Sequence, residues 1–547
     1  MSANYNNYSG QPVYIMGSDK QQTKGRDAVS MNIRAAKAVA TLVKTTLGPV
    51  SMDKMLVNQI GDVVITNDGA TILDEMDIEH PTAKMIVEVA RTQEDIAGDG
   101  TTSAAVLAGT LLEKAQELME QGVHPTSILN GYRLASEKAM SYLDEYKIDI
   151  DSSDVEILKN ISNTSITGKA SESYSETIST IAVNAVLKVL ENGEVNIDDD
   201  ILIVQDKGQK ITDSELVEGV VLTKKALHPN MPKKIQNPKI ALIDTPLEVE
   251  KTGTESKIQI KSADQMEAFV KEEDKGFKKM VDAIVKSGAN AVFCSKGIDD
   301  NAVHYLQKNG IYATRRVKES EMKSLARATG AKLVRSLYEI DETDIGSAGL
   351  LEQVGESDDA KTFIKECSNA KTVTIVLRGG TEHVTENIER VFDDALHVIA
   401  SAVEDHEVVP GGGASEISTA NILRSFAPSV GGREQLAITA FADSLEIIPR
   451  TLAENAGLDG TDMLIKLRSG SGKDKYVGLD VYEGKVVNMV EKGVLDPVRV
   501  KKQAIKSASE ATAMVLRVDD VLRADKKDMM NVKPEHNIHN YDASGMM

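Results

Sequence analysis

The sequence predicts a mixed fold: mainly helical territory at both chain ends, with an α/β layered module inserted between them. Three observations predict it. Apolar residues recur at helical spacing in long stretches up to about residue 150 and again from 381 to 531. Between about 219 and 371, short apolar strands alternate with helices instead. A chain of 547 residues also exceeds what one compact core organises, so roughly two to four domains are expected.

Taken in order, Met1 to Gln22 is polar and rich in Asn and Tyr, with no signal-peptide core. Ala28 to Leu47 is expected to form an amphipathic helix, with Val29, Ile33, Ala36, Ala40, Val43 and Leu47 on one side. It stops at Gly48-Pro49, the usual chemistry of a helix end. Two short strands follow, around Lys54–Asn58 and Asp62–Thr66, and then the turn Asn67-Asp68-Gly69. Helices resume at Ala83–Ile96, Thr101–Gln121 and Pro125–Tyr146. The middle of these carries Ala104, Leu107, Ala108, Leu111, Leu112, Ala115, Leu118 and Met119 at helical spacing.

Pro229, Pro232 and Pro238 punctuate the start of the middle territory. Strands are expected at Ile240–Asp244, Ala291–Ser295, Tyr312–Thr314 and Lys332–Arg335, with helices near 264–286, 299–309 and 318–329. Glu248 to Ser262 is too charged for a core and too long for a minimal connection, so it reads as a projecting excursion. The third territory is helical again. It contains the glycine cluster Val409-Pro410-Gly411-Gly412-Gly413-Ala414, and a polar tail with Gly545, Met546 and Met547 follows it.

Charge and composition narrow the function classes. With 63 basic and 84 acidic residues the net charge is −21, which argues against a general nucleic-acid binder. No apolar run approaches the ~18 residues of a membrane span, and a cytoplasmic location is expected. Cys294 and Cys367 are too few for a disulfide framework and lack metal-ligand spacing. Cys294 sits in a strand-like run and reads as core.

The most informative stretch is Gly98-Asp99-Gly100-Thr101-Thr102, directly before a strong helix. Glycines let backbone approach a ligand closely, and a helix N-terminus offers unpaired N–H groups to phosphate. A bare aspartate there repels phosphate unless Asp99 holds a divalent cation that also bridges phosphate oxygens, as Mg²⁺ commonly does. The competing reading is an ordinary N-cap. Asp68 reads alone as a turn residue. Asp394 lies at the margin of the stripe Val384, Ile388, Val391, Ala395, Val398 and Ala402, where it reads as a solvated acid with Arg390 one turn back. Lys169 follows Thr167-Gly168 at an expected loop. Gly411–Gly413 is either an interhelix turn or a close approach to a ligand. No Gly-x4-Gly-Lys-Ser/Thr sequence exists, so a P-loop is excluded. Ser469-Gly470-Ser471-Gly472-Lys473 reads as a flexible hairpin tip.

Thr46-Leu47-Gly48-Pro49, Asn67-Asp68-Gly69-Ala70-Thr71, Gly98-Asp99-Gly100-Thr101-Thr102, Asp394-Ala395-Leu396-His397 and Val409-Pro410-Gly411-Gly412-Gly413 occur together and in order. As a set they resemble the chaperonin family. Gly122-Val123-His124-Pro125-Thr126, Lys296-Gly297-Ile298-Asp299-Asp300 and Arg433-Glu434-Gln435-Leu436-Ala437 match its group II branch, as does the run from Ile448 to Gly457. Within that branch the chain is most similar to archaeal thermosome subunits, over roughly residues 20 to 525.

The resemblance implies a mainly α-helical equatorial ATPase domain built from 1–147 and 407–547. It further implies a small α/β intermediate domain from 148–218 and 372–406, and an inserted α/β apical domain, 219–371. The segment 248–280, with Met266, Phe269 and Met280 on its helix, would be the helical protrusion that serves as a built-in lid. The implied chemistry is Mg²⁺-dependent ATP hydrolysis. By resemblance, Asp99 ligates the metal while Gly100, Thr101 and Thr102 hold phosphates. Asp394 activates water with help from Asp68, and Lys169 senses the γ-phosphate. Gly48 and Pro49 line the phosphate pocket, and Gly412, Asp480 and Asp496 contact the ribose and base side. The implied partners are unfolded or partly folded proteins and sister subunits, like or unlike, in two stacked rings of eight or nine. Two other classes remain: a non-hydrolysing scaffold, against which intact Asp68, Asp99, Lys169 and Asp394 count, and a small-molecule ATP-dependent enzyme, for which no substrate motif is found.

Overall fold

The computed structural model describes residues 6–8, 11–13, 21–57, 61, 63–169, 172–248, 263–337, 339–357, 359–367 and 371–523. Residues 249–262 of the expected excursion from Glu248 to Ser262 lie outside the described residues, as do the Gly-Met-Met tail and the side chains of Met266 and Phe269.

The two chain ends share one core. Helix Thr101–Glu120 is its axis, with Ala104, Ala105, Val106, Leu107, Ala108, Leu111 and Leu112 all buried. Buried positions on so many sides mean that neighbours surround it. They are Gly25–Lys44, Pro81–Ala97, Glu434–Leu445 and Val498–Leu516, and the shared core joins Ile33, Ile86 and Leu111 to Leu423, Phe441 and Ile505. The first helix ends at Lys44, one turn earlier than Leu47, yet Leu47 stays in the core. The two expected strands are present as Lys54–Val57 and Val63–Thr66, and they pair antiparallel.

A second core links distant segments. Strand Ile201–Lys207 pairs in parallel with Val373–Gly379, which pairs antiparallel with Glu215–Val217. Helices Val155–Ile166, Glu172–Val189 and Glu382–Asp405 join Leu158, Ile161, Val183, Ile375, Phe392 and Ile399 into this core. Because the parallel partners lie more than 160 residues apart, the module between them is an insertion in a framework closed around it.

That inserted module is the expected layered α/β structure, with a larger sheet than the sequence suggests. Tyr312–Thr314, Ala291–Cys294 and Lys239–Ile243 are parallel neighbours, and Leu333–Val334 also pairs with the last of these. The sheet then continues antiparallel through Gly346–Val354, Lys361–Cys367 and Gly219–Leu222. Along Lys239–Ile243, Ala241 and Ile243 enter one apolar core while Ile240 and Leu242 enter another on the opposite face. Apolar residues on both faces are what a central parallel strand requires. Cys294 is buried there, as expected.

One expectation is overturned. Ser469-Gly470-Ser471 is not a hairpin tip but the last turn of helix Gly460–Ser471. Met463 and Leu467 face the core one turn apart, and Gly470 continues that face, where a methyl group built on it would stand 3.0 Å from Val477 and 3.3 Å from Val486. Packing of that face outweighs the flexibility that Gly-Ser composition suggests.

Candidate active site

Asp99 occupies a junction between two helices. Gly98 closes Pro81–Ala97 in the left-handed conformation, and Gly100 opens Thr101–Glu120. The Gly100 N–H donates to Asp99 Oδ1 at 2.7 Å, so the carboxylate is held by its own turn. Buried Gln93 donates to the Asp99 carbonyl at 2.7 Å and to the Val500 carbonyl at 3.1 Å, tying the junction to a helix from the other chain end. No side chain caps the Thr101 helix, so its first-turn N–H groups remain available to an anion.

Asp68 does two jobs. It caps Gly69–Asp74 through Thr71 N at 2.7 Å, as a turn residue would. Its other oxygen accepts from Thr101 Oγ1 at 3.1 Å, which brings it to the Asp99 junction. The cap and the cluster are one residue's two faces.

Lys169 follows helix Val155–Ile166 and reaches across to the end-core. Its ammonium donates to Asp99 Oδ1 and to Asp394 Oδ2, each at 2.8 Å. Asp394 is therefore not a solvated acid with Arg390 beside it. Buried among Val391, Ala395 and Val398 at 9% exposure, it needs a partner, and Lys169 supplies one. Burial pushes the Asp394 carboxyl well above the usual range despite Lys169, with Asp68 and Asp99 adding to the rise. Burial acts the same way on Asp99, but Lys169 and the Gly100 N–H hold it below its ordinary value. Burial opposes the charge on Lys169, yet Asp394, Asp99 and Asp68 together raise its pKa. One ammonium thus serves three carboxylates.

A cavity of about 560 Å³ opens beside this cluster. Gly48, Pro49, Asp68, Asp99, Gly100, Thr101, Thr102, Lys169, Gly412, Asp480 and Asp496 all line it. Asp394 is the one expected site residue outside the lining, joined to the cavity through Lys169. Gly413 opens the second helix that begins here, Ala414–Val430, again without a side-chain cap. Elsewhere on the lining, Asp480 accepts from the Tyr482 and Glu483 N–H groups and pairs with Lys492 at 3.1 Å.

Asn67, Glu416 and Lys501 are among the lining residues that the sequence reading did not assign to the site. Asn67 donates to the Gly168 carbonyl at 2.6 Å, next to Lys169. Lys501 bridges Asp496 at 2.8 Å and Glu416 at 3.0 Å, all three largely buried. Burial raises Asp496, and Lys501 opposes the rise. Lys501→Met leaves two carboxylates facing each other, so it should cost about 3 kcal/mol of stability at neutral pH. A lowered urea midpoint reads the effect, and an unchanged midpoint counts against the pairing.

The residues fit a Mg²⁺ that arrives with a polyphosphate. Among the described residues no group of three or more His, Cys, Asp and Glu is arranged to hold a metal by itself. Mg²⁺ needs no such cage: one or two carboxylates suffice when phosphate oxygens and waters complete its octahedron. Ionised Asp99, facing the cavity beside open helical N–H groups, is such a carboxylate.

The TCP-1/cpn60 chaperonin family matches this sequence over residues 39–526, nearly the whole described chain. The chain belongs to the TCP-1/cpn60 chaperonin family. Among its relatives, thermosome subunit beta of Archaeoglobus fulgidus is 53% identical over 519 residues, 94% of this chain and 95% of that one. A thermosome subunit of Methanopyrus kandleri is 52% identical, with 94% and 95% covered. A thermosome subunit of Pyrococcus horikoshii is also 52% identical, with 95% of each chain covered. At that identity over nearly the full length, the layout described above is a chaperonin fold. Among the described residues of this chaperonin, no helix is long and apolar enough to cross a membrane.

Proposed function

We propose that this group II chaperonin subunit hydrolyses Mg-ATP and uses the event to close a chamber around non-native polypeptide. The observation that carries the proposal is the Lys169 bridge, 2.8 Å to Asp99 and 2.8 Å to Asp394. It joins a cluster on the end-core to a helix of the second core, so a complete site requires the two to meet. The end-core is read as the equatorial domain (1–147 and 407–547). The second core is the intermediate domain (148–218 and 372–406), and the inserted module is the apical domain (219–371).

In this reading, Gly100, Thr101 and Thr102 bind phosphate oxygens through backbone N–H groups and hydroxyls, with Gly48 and Pro49 on the other side. Mg²⁺ held at Asp99 supplies charge compensation to the phosphate oxygens. Asp394 accepts a proton from the attacking water through the oxygen not used by Lys169, and Asp68 keeps the Thr101 hydroxyl oriented. The P–O bond to the leaving diphosphate breaks as the water oxygen attaches to phosphorus. Gly412, Asp480 and Asp496 hold the nucleoside end. Phosphoryl transfer rewards such positioning more than covalent participation. Completion by closure makes hydrolysis a gate.

The assembly is two stacked rings of eight or nine subunits, like or unlike, with unfolded or partly folded proteins as clients. Neither nucleic acid nor membrane is a partner in this reading, and the cytoplasm is its setting. Native mass and phosphate release test the proposal on one preparation. The expected particle is sixteen or eighteen times the 59.1 kDa chain mass, releasing phosphate from ATP only while Mg²⁺ is present. A monomer, or release that survives EDTA, would contradict it.

A further inference from the structure

The three charged members of the bridge lie beside two backbone contacts that only glycine permits. Gly98 precedes Asp99 and has φ +68°, and a methyl group built on it would stand 2.1 Å from His397 Cβ and 3.3 Å from His397 Cα. His397 follows Asp394 by one helical turn on Glu382–Asp405. Gly168 precedes Lys169 and has φ +88°, and a methyl group there would stand 2.7 Å from Pro49 Cα and 2.9 Å from Pro49 O. The Gly168 carbonyl accepts from Asn67 at 2.6 Å. At both points the obstacle is backbone or Cβ, not the movable end of a side chain.

We infer that Gly98 and Gly168 are positioning residues that set the distance between the two cores, so that Lys169 spans Asp99 and Asp394 only when both glycine seats are filled. The inference rests on the hydrolysis proposed above and adds to it the parts that fix the reacting geometry. A Cβ at 2.1 Å must retreat by roughly an ångström before it reaches ordinary contact, and misplacements of that size cost about 10²-fold in rate. Asp99 and the start of the Thr101 helix stay on their own core, but the Gly168 seat presses on Pro49 and on the Gly48 carbonyl, which line the phosphate side of the cavity, so nucleotide affinity is read beside the rate in each variant.

Gly330 supplies a matched control. It also ends a helix in the left-handed conformation, with φ +74°, but a methyl group there meets nothing within 4 Å. Alanine at Gly98 and at Gly330 therefore carries the same backbone strain, and only the former presses on a neighbour across the seam.

The test uses assembled full-length protein and compares Gly98→Ala, Gly168→Ala and Gly330→Ala. The expected result is a kcat for ATP lowered about 100-fold in the first two, with Mg-ADP affinity lowered by much less, roughly tenfold at most. Gly330→Ala should hydrolyse at the wild-type rate. Wild-type kcat in both seam variants overturns the inference, as does an equal loss in all three or a loss of Mg-ADP affinity that matches the loss of rate. Should Gly98→Ala fail to assemble, Gly168→Ala alone decides by the same split of kcat from affinity. If wild-type protein releases no phosphate, the hydrolysis reading fails instead, so the two failures are separable.

Discussion

Asp394→Asn should bind Mg-ATP as wild type does and hydrolyse it about 10²- to 10⁴-fold more slowly, the range that removal of a general base commonly costs. The substitution keeps the side chain's size and its acceptor oxygen, so the Lys169 contact at 2.8 Å has a partner and the buried helix face is undisturbed. What is lost is the capacity to take a proton. A burial-raised carboxyl is well suited to that task, since a base poised nearer neutrality accepts a proton from water more readily than an ordinary aspartate. Phosphate release under single-turnover conditions, beside nucleotide affinity, separates the two effects. A rate within tenfold of wild type would remove Asp394 from the chemistry.

Lys169→Met should be the more damaging variant, because it strands Asp99, Asp394 and Asp68 together without a cation. Removing one partner of a buried ion pair costs about 3 to 5 kcal/mol, and each of these side chains is less than a quarter exposed. The pH dependence follows from the directions of the shifts. Asp99 has a depressed pKa in the fold, so its stabilisation is present above the ordinary carboxylate range and is lost as pH falls through its folded value. Lys169→Met forfeits that stabilisation at neutral pH, and the gap from wild type should narrow on acidification. Asp394 moves the other way. Its pKa is already raised, and loss of the ammonium raises it further, so the acid limb of kcat/KM should shift to higher pH. Urea midpoints and a pH–rate profile read both effects, and a limb that stays where wild type has it would contradict the bridge.

Local chemistry made much of the framework legible before any coordinates. Helix Pro125–Tyr146 is bounded as the sequence suggests, and the end-core helices differ from expectation by a turn or less. Periodicity and Gly-Pro punctuation suffice for such elements. The antiparallel half of the inserted sheet escaped the reading. Gly346–Val354 begins Gly-Ser-Ala-Gly and has no clean alternation, and its place is set by pairing with Lys361–Cys367. At the site, the stretch from Gly98 to Thr102, of which Asp99 to Thr102 line the cavity, was legible from composition. Lys501 was not, because Lys501 and Lys502 are adjacent and alike. One turns inward to Asp496 and Glu416, while the other pairs with Asp144 at the surface. Asp394 likewise needed Lys169, 225 residues away, before its burial made sense.

In the proposed function, hydrolysis drives folding of a captured chain, and recovery of a chemically denatured enzyme tests that most directly. Denatured client is added to the assembled protein, and its regained activity is followed with Mg-ATP, with Mg-ADP and without nucleotide. Recovery is expected with Mg-ATP alone, and none from Asp394→Asn under the same conditions. Phosphate release that proceeds normally while the client stays inactive, or recovery that is indifferent to nucleotide, would contradict it.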